Sequence, residues 1–292
     1  MTNLQGAKFA LIATVFFTLL NALVKEIGTS LPLQETVFFR FLIAYLVILP
    51  LTPRSAHREF FSRDTPKHLH FLRAGLGVTA ILCCFYGMTR LALSEAIALT
   101  YTAPLLVAIL GQYFLKERVP PLRWLAIICG AVGVLIICQP KMGAQLVPVG
   151  IMLVGSLARA CSDIMARSLS SKNTSNCLVV SFLGLGSILI APFAFTDWQT
   201  PTADQWFILL LLGVSGGFFQ IFLTRAFKLS PASALAPFFY TSLVWAVLIG
   251  ALVWHETPGQ NEVIGSAMIV LDGFLALLSI RKAPPKPLTL TN

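Results

Sequence analysis

Two opposite charges, Arg159 and Asp163, stand one helical turn apart inside an apolar segment that runs over 148–169. A charged side chain in hydrocarbon costs on the order of 2.5–3.5 kcal/mol on insertion scales, so each one needs a compensating role. At a spacing of four residues the two share a helix face and can pair. As a functional pair, the aspartate carries a proton or binds a cationic group while the arginine binds a carboxylate. As a structural pair, they neutralise each other. Arg40 lies about 9 Å inside another apolar segment by helical rise, too deep to reach the interface comfortably. It holds a solute carboxylate, or it bonds helix-end carbonyls as a structural pin.

Polar aromatics combine an apolar face with a hydrogen bond, which suits recognition of an amphiphilic solute. Tyr86, Tyr101, Tyr240 and Trp245 qualify, with core packing as the alternative, and Gln220 places an amide where only a partner or a cavity satisfies it. Pro104 and Pro237 fall inside apolar segments, where each removes a backbone hydrogen bond and sets a flexing point.

The elements that carry these residues are ten apolar stretches, predicted as helical spans at 4–24, 34–52, 71–91, 96–115, 122–138, 148–169, 176–195, 205–225, 232–254 and 262–280. Each is long enough to cross a hydrocarbon core of ~30 Å. A chain of 292 residues with 57% hydrophobic and 11% charged residues is an all-α integral membrane protein with almost no soluble portion. Its net charge of +9 implies no nucleic acid. With the N-terminus inside, sixteen of the 21 basic residues, among them Arg54, Arg58, Arg118, Lys172 and Arg281, fall on the cytoplasmic side. Lys25, Arg90 and Lys141 face outward, so the positive-inside rule predicts both termini in the cytoplasm. Lys25-Glu26 stands where a small-residue cleavage site would follow a signal peptide, so the first segment reads as a retained helix. The six cysteines lack metal-ligand spacing and read as reduced thiols, and the four histidines fall in loops or at a span end. No phosphate-binding glycine loop is present, so no metal or other cofactor is implied.

The two halves repeat. Leu91-Ala-Leu-Ser-Glu-Ala-Ile-Ala-Leu99 matches Phe227-Lys-Leu-Ser-Pro-Ala-Ser-Ala-Leu235; Tyr101-Thr102 and Glu117 pair with Tyr240-Thr241 and Glu256; and Asn21-Ala-Leu-Val-Lys25 matches Asp163-Ile-Met-Ala-Arg167. Asn21 would thus face the same cavity as Asp163, its counterpart. Repeats of five helices put the second copy upside down, the common construction of secondary transporters, with the site between the halves. The expected division is residues 1–139, a hinge at 139–147, residues 148–281, and a cytoplasmic tail at 282–292.

Phe38-Phe39-Arg40, Leu72-Arg73-Ala-Gly75, and the block from Ser94-Glu95 to Pro104 and on to Glu117-Arg118 resemble the EamA family of drug/metabolite transporters. The same holds for the run from Pro231 to Trp245 and for Glu256. The resemblance covers essentially the whole chain. It implies ten helices in two inverted five-helix bundles, a central cavity lined by helices three, four and nine, and movement of an amino acid, an amino-acid derivative or an S-adenosylmethionine-like solute. The implied setting is a bacterial inner membrane, as monomer or homodimer, with proton coupling as one of the roles open to Asp163. Because Phe38-Phe39-Arg40 looks like a family-wide feature, the resemblance favours Arg40 as a structural pin. Since the family's last helices serve the scaffold, it favours Asp272 as a packed carboxyl. An integral membrane enzyme and a channel-like pore are the rival classes; buried charge at a repeat interface speaks for a carrier.

Overall fold

The computed structural model describes residues 2–28, 30–62, 65–103, 106, 109–110, 121–138, 146–170, 173–229, 238, 241–256 and 258–281. Every regular element among them is a helix: α1 (Thr2–Ile27), α2 (Leu33–Ile48), α3 (Arg54–Phe61), α4 (Lys67–Met88), α5 (Leu93–Thr100), α6 (Pro121–Cys138), α7 (Leu146–Ser170), α8 (Ser175–Ala194), α9 (Ala203–Leu229), α10 (Thr241–Trp254) and α11 (Gln260–Arg281). A 3-10 turn, Leu49–Leu51, follows α2.

Among the described residues, six helical stretches are long and apolar enough to cross a membrane: Gly6–Ile27, Leu33–Leu51, Lys67–Met88, Leu146–Ala166, Ser175–Ala194 and Ala203–Leu223. Helices suit this solvent because every backbone group is satisfied within the segment. Their ends follow local chemistry. Pro32, Pro53 and Pro66 stand at the N-caps of α2, α3 and α4, where a missing N–H leaves no helical bond unmade. Gly28, at φ +53°, ends α1 in the left-handed conformation that a side chain would strain, and its N–H bonds Val24 O at 3.1 Å. Large apolar residues such as Ile188, Phe207 and Leu252 stay exposed, an outward surface that hydrocarbon would cover.

The short helix α3 lies where the sequence predicts only a polar loop. Its Ala56 is buried, and the helix packs against α8. Glu59 holds it there by accepting from the Thr174 amide at 2.7 Å, the Thr174 hydroxyl at 2.5 Å and Asn173 Nδ2 at 3.3 Å. Burial pushes the Glu59 carboxyl up, but those donors and the nearby His70 outweigh it and hold the carboxyl below its ordinary range. His68 and His70, read as loop residues, lie in the first turn of α4; His70 is buried and faces Ser181 Oγ at 2.9 Å.

The helices pack in pairs. α1 runs along α9, α4 along α7 and α6 along α11, while α2 packs against both α8 and α9 and α4 also meets α8. α5 touches α7 and α10, and α10 touches α1. Close approach uses small residues: a Cβ on Gly155 would meet Cys83 Cβ at 2.6 Å, and one on Gly133 would meet Gly265 O at 2.7 Å. The core between these pairs is apolar, with Phe41, Met88, Leu93, Ile97, Leu99, Met152 and Leu183 fully buried.

Candidate solute-binding site

Arg159 and Asp163 project from one face of α7, as their spacing predicts. Arg159 Nε donates to Asp163 Oδ2 at 3.4 Å, and the side chains are 45% and 51% exposed. That is a single long contact, weaker than the 2.7–2.9 Å typical of a charge-assisted bond. The Arg159 charge lies within electrostatic reach of Arg40, Cys84 and Tyr101. Asp163, one turn on, is within reach of Arg73. The α7 face therefore carries an arginine within electrostatic reach of Arg40 on α2 and a carboxylate within reach of Arg73 on α4.

The two arginines beside this face, Arg40 buried and Arg73 part-buried, differ. Arg73 of α4 uses Nη1 to bond Leu178 O at 2.8 Å and lies 4.9 Å from the Phe182 ring centroid. Ser162 of α7 donates to the Arg73 carbonyl at 3.1 Å. Arg40 of α2 is 5% exposed, with its guanidinium carbon 4.7 Å from the Phe41 ring centroid. Its Nε and Nη1 are buried and make no hydrogen bond.

Tyr101, just past the end of α5, bonds Ser242 Oγ of α10 through its hydroxyl. Around it, Thr18 Oγ1 donates to Ser242 O at 3.3 Å, and the Thr14 and Thr241 hydroxyls meet at 3.0 Å. Ser156 of α7 donates to Leu99 O at 3.3 Å. A polar seam thus joins α1, α5, α7 and α10. Hydroxyls are common in any sequence, so Thr14, Thr18 and Ser242 gave no signal beforehand; only the position of Thr241 beside Tyr240 in the repeat marked its neighbourhood.

Asn21 is buried, and its Nδ2 donates to Phe17 O one turn back at 2.8 Å, so its amide is held by its own helix. Tyr86 lies at one end of the bundle, beside a cavity of about 280 Å³ lined also by Gly28, Leu31, Leu33, Thr89 and Arg90. There Arg90 stacks 3.9 Å from the Tyr86 ring centroid. Gln220 is part-buried on α9, and Trp245 on α10 is 37% exposed. Tyr240, Pro104 and Pro237 lie outside the described residues, as does the side chain of Asp272 on α11.

At the same end as Tyr86, Lys25 bonds the Glu256 carboxylate and donates to Leu91 O at 3.1 Å. Glu256 Oε2 accepts the Leu93 amide at 3.0 Å, capping the start of α5, and Lys25 lies 5.1 Å from the Trp254 ring centroid. One lysine and one glutamate thereby tie α1, the α4–α5 turn and α10 together. The sequence marks Glu256 only as the repeat counterpart of Glu117, without its partner.

Comparison with known proteins places this arrangement. The EamA-like transporter family matches twice, over residues 4–139 and 147–278. The chain is 30% identical over 269 residues to a pseudopaline exporter of Pseudomonas aeruginosa, covering 91% of this chain and 94% of that protein. It is 26% identical over 286 residues to an S-adenosylmethionine uptake transporter of Rickettsia conorii, covering 97% and 95%. One solved crystal structure superposes with a TM-score of 0.67 at 16% identity, over 94% of this chain and 98% of that one, a likeness of fold alone.

Proposed function

Because the chain belongs to the EamA-like transporter family, we propose that it is a secondary active transporter, resident in a bacterial inner membrane, that moves a small polar organic metabolite by alternating access. The observation that carries this reading is the double match, one family unit per half of the chain. Residues 1–139 and 148–281 are then two inverted five-helix repeats, followed by the tail at 282–292.

Packing supports the repeat. If α1, α2, α4, α5 and α6 correspond to α7, α8, α9, α10 and α11, the contacts map onto themselves. α1 with α9 becomes α7 with α4, α2 with α9 becomes α8 with α4, and α1 with α10 becomes α7 with α5. Gly77 of α4 and Gly213 of α9 stand at the offset that pairs Leu91 with Phe227. Each lies against the corresponding partner helix, at Phe182 and Ile43 respectively. Inverted halves of this kind place the solute site at their interface near the midplane, and the α7 charges and the Tyr101–Ser242 seam are the residues offered for it. In this reading the Lys25–Glu256 tie is an outward gate seen closed.

The solute class follows from the charges. A carboxylate and an arginine one turn apart suit a zwitterion, and S-adenosylmethionine, named for the Rickettsia relative, carries both an ammonium and a carboxylate. Relatives named for export and for uptake share the whole length of the chain, so direction depends on the coupling rather than on the fold. The test is counterflow in proteoliposomes against labelled amino acids, amino-acid derivatives and S-adenosylmethionine. Saturable exchange of at least one is expected. A flux that never saturates would instead favour a channel-like pore, and turnover of the solute an integral membrane enzyme.

A further inference from the structure

We infer that Arg40 and Arg159 together form an anion subsite that takes the carboxylate of the transported solute, which makes Arg40 a binding residue rather than a structural pin. The inference rests on the transporter reading above. A pin must bond something, and Arg73 does so with Nη1 on the Leu178 carbonyl, although its own Nε is enclosed without an acceptor among the described residues. Arg40 is more than nine-tenths buried, yet two of its guanidinium nitrogens are enclosed with no acceptor among the described residues. A buried cation without an acceptor is retained only where something else supplies the negative charge.

The surroundings specify what that is. Arg159, a second cation, lies within electrostatic reach of Arg40. The one carboxylate bonded to Arg159 uses its Nε through a long contact and lies a turn farther along, toward Arg73. Two guanidiniums thus act on each other, and among the described residues the carboxylate bonded to Arg159 makes only a single long contact. An oxyanion between them removes their repulsion and satisfies the fork of donors that a guanidinium presents to a planar carboxylate. On the α9 side Gly216 places no side chain against the guanidinium; a Cβ built there would lie 3.7 Å from Arg40 Nε and 3.1 Å from Leu20 Cδ1. Asp163 is then left for the ammonium end of the same solute, one helical turn away.

The test uses the purified full-length protein at constant ionic strength, with acetate, succinate, L-methionine, phosphate and methylammonium as probes and thermal stability as readout. Succinate and L-methionine are expected to raise Tm and methylammonium to leave it unchanged. In Arg40→Met the ligand-free Tm is expected to hold or rise, because an unsatisfied charge is removed, while the carboxylate response disappears. Arg40→Lys keeps the charge and loses the fork, so carboxylate affinity is expected to fall about tenfold or more. Arg40→Met protein that fails to fold, or melts lower without ligand, establishes the pin and overturns the inference. So does a carboxylate response that survives the change, or a response to phosphate alone. Saturable counterflow of a carboxylate-free amine would sink the subsite and keep the transporter. Arg40-dependent carboxylate binding with no counterflow of any solute would keep the subsite and sink the transporter.

Discussion

The Arg159–Asp163 pair is where residue chemistry and structure meet most directly. Side chains about half exposed and joined by one 3.4 Å contact add little to stability, since exposed pairs contribute about 0–1 kcal/mol. Asp163→Asn and Arg159→Gln are therefore expected to leave Tm within a few degrees of wild type while abolishing saturable transport, measured by counterflow. The double variant separates the roles: equal folding with no activity fits a binding pair, whereas near wild-type transport would return the pair to scaffold. The contact between the two side chains was legible because a charge within an apolar helix is rare enough to stand out. Asn21 was not legible in the same way. Its repeat position pointed to a cavity, but an amide can also fold back on the carbonyl one turn earlier, and here it does.

Elements that span hydrocarbon announce themselves by length and hydrophobicity, and all six long apolar stretches coincide with expected spans. The α3 helix gave no such signal, because a short amphipathic segment rich in basic residues reads as loop until a partner fixes it. That partner is the α7–α8 connection, reached through Glu59. A carboxyl held below its unfolded value of 4.5 contributes stability above that pH and loses it as pH falls through the lower folded value. Wild-type Tm should accordingly drop between pH 5 and more acid conditions, and Glu59→Gln should lower Tm at neutral pH and flatten the acid limb. An unchanged pH profile would mean that the clasp contributes nothing. At the other end, the Lys25–Glu256 tie joins α1 to α10. Cysteines at the two positions, in a background without the native thiols, should cross-link readily and block transport until reduced. Free transport by the cross-linked protein would remove the gate.

For the whole molecule, the decisive property is that each proposed repeat holds an odd number of crossings. An even number would leave the copies parallel, and the self-mapping of the packing would then relate helices on the same side of the membrane. The structure offers markers that distinguish the cases: Lys25, Leu91 and Glu256 converge at one end of the bundle, while Glu59, Asn173 and Thr174 converge at the other. In the proposed repeat Lys25 and Glu117, the counterpart of Glu256, close spans at opposite ends of one half, so the meeting of Lys25 with Glu256 is what an inverted second half would give. By the positive-inside rule, the end to which sixteen basic residues are assigned is expected to face the cytoplasm. Alkaline phosphatase, active only outside the cytoplasm, reads this directly. Fusions after Lys25, Lys141 or Glu256 are expected to be active and those after Arg63 or Lys172 silent, at comparable levels of fusion protein. The reverse pattern would flip the orientation. Activity after both Lys25 and Arg63 would mean that the first repeat does not cross as proposed, and the inverted-repeat architecture would fall with it.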